Sequence, residues 1–111
     1  MLAIAMLSWA ASSAVVWQPG TPVRMIQGSV NHSDYPRAAR GAEGTAVALL
    51  TVGTDGRVLS CTIGQSSGNL ALDQATCPLI RVRHRFRPAT QDGQPVIGPY
   101  RLSIYWRAPR R

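Results

Sequence analysis

The turn Thr54-Asp55-Gly56-Arg57, set between two apolar runs, limits the fold of this chain more than any other feature. An Asp-Gly pair in that setting is the strongest short-range hairpin signal, because both residues tolerate the backbone angles a tight turn demands. Before the turn, Thr45 to Val52 alternates. Ala46, Ala48, Leu50 and Val52 form one wholly apolar face, while Thr45, Val47, Leu49 and Thr51 form a mixed one. After the turn, a return strand runs from Arg57 to about Gln65. A lone hairpin is marginal in water, so its apolar face needs a cover and a third strand.

The cover follows at once. Ser66-Ser67-Gly68 breaks the strand, and Asn69 is placed to cap a helix starting at Leu70. Leu70, Leu72 or Asp73, Ala75 or Thr76, Leu79, Ile80 and His84 or Phe86 give a rough helical repeat. Pro78 lies inside this stretch and lacks a backbone donor, which predicts a kink or a helix restarted near it. Arg87-Pro88-Ala89 is expected to end the helix, and Asp92-Gly93 marks a polar turn. The third strand is Val96 to Trp106, interrupted early by Pro99. In it Tyr100, Leu102, Ile104 and Trp106 alternate with Arg101, Ser103, Tyr105 and Arg107. The first set is the expected core face and Tyr105 the better contact candidate. Upstream, Tyr35 to Gly41 reads as a short helix, with Pro36 at its first position and Gly41 at its end. The expected fold class is α+β: a short helix, then β-β-α-β, with one helix packed on a three-stranded antiparallel sheet.

With 111 residues there is room for one small domain. Residues 1–16 carry no charge and include the small residues Ala11-Ser12-Ser13-Ala14 after an apolar run, the pattern of a signal peptide or an N-terminal membrane anchor. Residues 17–33 show no clear periodicity and read as a linker; residues 34–107 form the domain. Cys61 and Cys77 are the two cysteines. Their spacing fits neither a redox CxxC nor a common zinc site, so they are a disulfide or two buried thiols. Export would favour the disulfide. A helix laid on the sheet would bring the two together.

Twelve basic residues, all arginine, face five acidic ones, for a net charge of +7. Without lysine, Schiff-base chemistry is excluded. No paired carboxylates, phosphate loop or HExxH pattern is present, and His84 with a thiol would need free cysteines. The chain is expected to be no enzyme and to need no cofactor or metal. Arg81, Arg83, Arg85 and Arg87 fall at every second residue, which is not one face of a helix. They read as a solvated face before anionic lipid or cell wall, and nucleic acid is not an expected partner.

In order along the chain, several pieces resemble the TonB C-terminal domain family. They are Tyr35-Pro36 with Ala38-Ala39, Glu43-Gly44-Thr45, Asp55-Gly56-Arg57-Val58, Ser66-Ser67-Gly68 with Leu72-Asp73, Arg85-Phe86-Arg87-Pro88-Ala89, and Gly93-Gln94-Pro95-Val96. Each is short; their succession from Asp34 to Trp106 is what is specific. The resemblance implies a periplasmic domain of Gram-negative bacteria. Such domains pass energy from an inner-membrane proton-channel motor of the ExbB/ExbD type to outer-membrane transporters. They grip the transporter's extended N-terminal peptide by strand addition. Carried over by position, the peptide-binding candidates are Tyr35, Pro36, Arg101, Ser103, Tyr105 and Arg107. An open sheet edge also allows a homodimer. A full transducer has a long proline-rich spacer, whereas residues 17–33 reach only about 60 Å when extended. Pro78 and the cysteine pair are less usual for the family. The alternative expectation is a stand-alone periplasmic adaptor that binds cell wall or another envelope protein.

Overall fold

The computed structural model describes residues 20–109. The expected signal peptide or anchor at 1–16 lies outside the described residues. The hairpin forms as its turn requires. Strand β3 spans Gly44–Val52 and β4 spans Val58–Gln65. Gly56 takes a positive φ of 83°, and Arg57 N–H donates to the Asp55 carboxylate at 3.0 Å. The last strand, β8, spans Gly98–Trp106 and pairs antiparallel with β3. The sheet order is β4-β3-β8, so the most apolar strand is central.

Helix α1 spans Leu70–Arg83, and Asn69 caps it by accepting from Leu72 N–H at 3.1 Å. Leu72, Thr76, Leu79 and Ile80 are its buried stripe, at the spacing of one helix face. They meet Ala46, Ala48, Leu50 and Val52 of β3 and Leu102, Ile104 and Trp106 of β8 in one core. Burying a side chain the size of Leu72, Ile80 or Val52 contributes about 1.5–3 kcal/mol. The Cys61–Cys77 disulfide ties β4 to α1, with Cα atoms 5.9 Å apart. The fold class is thus as expected: one helix packed on an antiparallel sheet.

Details differ. The expected restart near Pro78 does not occur, and α1 is one element through it. Gln74 and Pro78 are both exposed, so water can serve the carbonyl that Pro78 leaves without a donor. The expected short helix at Tyr35–Gly41 is replaced by two 3-10 turns, His32–Asp34 and Arg37–Ala39. Pro36 caps the second turn in an extended conformation, and Arg40 turns left-handed at φ 51°. So short a stretch gains too few hydrogen bonds to nucleate an α-helix.

The helix ends at Arg83, and Arg85–Arg87 is strand β5. The every-second-residue arginines are therefore partly a strand pattern. Strands β6, Ala89–Gln91, and β7, Gln94–Val96, form a second hairpin at Asp92-Gly93, both with positive φ. The expected strand from Val96 is accordingly two strands with a break at Ile97.

Part of the expected linker is also structured. Gly20–Thr21, β1, pairs with β6, and Arg24–Gln27, β2, pairs with β5. Val23 between them is buried. Strands of two to four residues carry no readable periodicity, and their partners are distant in sequence.

Polar contacts fix the joints. Asp73 accepts from Ser66 Oγ, from Ser67 N–H at 2.8 Å and from Ser67 Oγ at 2.7 Å. Burial works against its charge, yet these hydrogen bonds hold its carboxyl below the ordinary 3.8. Arg83 reaches Asp34 at 2.8 Å and joins the end of α1 to the first 3-10 turn. His84 caps α1, stacks on Phe86 and is buried, and its Nδ1 has no hydrogen-bond partner among the described residues. Burial holds its imidazole below the ordinary 6.5.

Candidate functional site

Strand β8 presents two different edges. One is paired with β3 in unbroken register from Gly44↔Trp106 to Val52↔Gly98. The other has no strand partner among the described residues. Strand β4 is the opposite edge of the sheet, and its ladder with β3 shifts register at Val47/Ala48 and again at Thr51/Val52. Irregular edges pair poorly with added chain, and regular ones pair well. Pro99 removes one donor at the start of β8 and leaves the rest of the strand intact.

The strand's two faces are as different as its alternation predicts. Leu102, Ile104 and Trp106 are buried toward α1. Arg101, Ser103, Tyr105 and Arg107 are exposed on the other face. Tyr105 is 71% exposed, and the Arg107 guanidinium lies over its ring at 5.9 Å. Across the sheet, Leu49 sits opposite Arg101 and is itself exposed. The outer face thus offers apolar and cationic groups side by side.

Tyr35 and Pro36 lie elsewhere. The Tyr35 ring meets the Trp106 ring edge-on, with centroids 6.4 Å apart. Its hydroxyl donates to the Ala42 carbonyl at 2.6 Å. Trp106 belongs to the helix side of the sheet, so Tyr35 does too. The six residues carried over from the resemblance are therefore split between the two faces of β8. Four line the outer face, and Tyr35 with its neighbour Pro36 belongs to the segment packed at the Trp106 end.

Sequence reasoning missed what sets this end of β8. Trp106 Nε1 donates to Thr76 Oγ1 at 3.0 Å, and Thr76 Oγ1 donates to the Leu72 carbonyl at 2.7 Å. Glu43 then accepts from Ala108 N–H at 2.9 Å, just past the strand. No local pattern announces such long-range pairs. The one available hint is a threonine on an otherwise apolar helix stripe.

The family model described as the Gram-negative bacterial TonB protein C-terminal matches residues 31–108. The chain belongs to this family. The solution NMR structure of the Pseudomonas aeruginosa TonB C-terminal domain shares the fold, with a TM-score of 0.59. Sequence identity is 23%, over 80% of this chain and 89% of that one. A search of curated proteins finds no match. Membership in the TonB C-terminal family implies a part in TonB-dependent transport, a periplasmic setting and contact with outer-membrane transporters. The family is one of energy-transducing domains and not of enzymes. No helix among the described residues is long and apolar enough to cross a membrane.

Proposed function

We propose that this TonB C-terminal domain binds the extended N-terminal peptide of an outer-membrane transporter by adding it as a strand to the free edge of β8. The observation that carries the reading is the contrast between the two sheet edges. The β8 edge is long and regular, while the β4 edge is broken by two register shifts. Backbone hydrogen bonds along β8 would supply affinity with little demand on peptide sequence. Side chains of the peptide would alternate between the two faces of the extended sheet. Those on the outer face would meet Arg101, Ser103, Tyr105 and Arg107. Those on the helix side would fall on the face where Tyr35 packs against Trp106. The cationic outer face favours peptides with acidic residues at alternate positions.

The test is an NMR titration of the oxidised protein with peptides from the periplasmic N-termini of the host's transporters. The expected result is amide shifts concentrated on Gly98–Trp106 and around Tyr35, with β4 unmoved. Shifts confined to β4, or none with the domain folded, would overturn strand addition at β8 and favour an envelope adaptor.

A further inference from the structure

The β2–β5 ribbon places like charges face to face. Its register sets Arg24 directly opposite Arg87, with Gln27 opposite Arg85. Like charges in cross-strand pairs destabilise a ribbon unless something outside it supplies the counter-charge. Nothing in the described residues does so. The two ion pairs among them are Asp55–Arg57 and Asp34–Arg83. Asp73 is held by Ser66 and Ser67, Glu43 caps the chain past β8, and Asp92, in the β6–β7 turn, makes no ion pair among the described residues.

The arginines are not alone on this side of the molecule. Ile26, Arg81 and Arg85 line one cleft of about 650 Å³, which joins the ribbon to the end of α1 and also holds the Asp55–Arg57 ion pair. Met25 and Ile26, exposed by 40% and 57%, border Arg24 and Arg87. Exposed aliphatic side chains set among arginines match a surface that is anionic outside and apolar just beneath. A nucleic acid or an acidic peptide would use the arginines and leave the aliphatic groups without a role.

The length of chain before the ribbon points the same way. The uncharged apolar run ends at Val16, and Arg24 is eight residues later. Fully extended, that segment spans no more than about 28 Å. When the run is held in a bilayer, the ribbon is therefore kept within about 28 Å of it.

We propose that this face, centred on Arg24 and Arg87 with Met25 and Ile26, docks on the anionic phospholipid surface of the membrane that holds the N-terminal run. The proposal does not depend on strand addition at β8, which lies in a different sheet.

The test places the full chain in nanodiscs of two kinds, one containing phosphatidylglycerol and one of phosphatidylcholine alone. Each carries a lipid spin-labelled at its headgroup, and methyl NMR reads the broadening. Met25 and Ile26 methyls are expected to broaden in the phosphatidylglycerol discs, with Leu49 on the outer face of the sheet unaffected. High salt, or Arg24→Ser with Arg87→Ser, is expected to reduce that broadening at least about tenfold. Both arginines are exposed, so the double variant keeps its fold, and the lipid comparison stands without it. Equal broadening in the two lipids, equal broadening of Leu49, or none at all would overturn the proposal. So would displacement of the face from the disc surface by an oligonucleotide or an acidic peptide at low concentration.

Discussion

Trp106 and Thr76 are joined by a hydrogen bond of 3.0 Å between the last strand and the helix, with both side chains essentially removed from solvent. The indole N–H has no water to turn to if Thr76 is lost. Thr76→Val keeps the shape and removes the acceptor. It should cost about 1–3 kcal/mol, since an orphaned buried donor loses its hydration without compensation. Thr76→Ser should recover most of this. Urea unfolding with an unchanged slope is the measurement, and a Val variant as stable as the native protein would refute the assignment.

Reduction of Cys61–Cys77 should lower stability by about 3 kcal/mol, the scale for closing a loop of this length. Parallel unfolding curves with and without reductant read it directly. The loss should leave the β3–β8 pairing intact in the folded state, because the link joins β4 to α1.

Stability should fall with acid in two stages. His84 titrates below 6.5 in the fold because it is buried, so the unfolded chain takes up its proton first. Its contribution is complete above about 6.5 and is lost as pH falls toward the lower folded value. Asp73 is held below 3.8, so its contribution is present above 3.8 and is lost as pH falls through the folded value. Urea midpoints across this range should show both limbs. Asp73→Asn should flatten the lower one, and His84→Phe the upper.

Two glycines with similar backbone angles should respond differently to alanine. Gly56 and Gly93 have φ of 83° and 79°. A Cβ on Gly56 would collide with the Phe86 carbonyl oxygen, whereas one on Gly93 meets nothing. Gly93→Ala should cost about 1 kcal/mol, for the left-handed angle alone. Gly56→Ala should cost clearly more, because β5 must move as well. Thermal melts of the two variants would decide it.

Tyr105→Ala should weaken transporter-peptide binding roughly tenfold, about 1.4 kcal/mol, with little change in melting temperature. The ring is 71% exposed, so the fold does not rest on it. Calorimetric titration checks the first part. Unchanged affinity would remove Tyr105 from the binding surface while leaving the backbone edge in place.

What could be read from residues alone follows the range of the interactions. The β3–β4 hairpin, the Asn69 cap and the alternation of β8 are local, and each carried its own signature. The β1, β2 and β5 strands depend on partners more than fifty residues away, so Arg24–Gln27 looked like linker. The restart expected near Pro78 does not occur because a proline's cost depends on whether the freed carbonyl can reach water. The candidate site was legible as a list of side chains on β8. Its division between two faces, with Tyr35 on the far one, depends on Trp106 packing that no spacing reveals.

The Cys61–Cys77 link also bears on how such a domain would behave as a segment of a rope. A folded domain pulled from its ends fails by giving up length. The bridged stretch, 16 residues from one cysteine to the other, would otherwise add about 50 Å of slack. With the bridge closed, that length can never be paid out. Tension reaching β4 passes through sulfur to the helix, and the domain stays short under load.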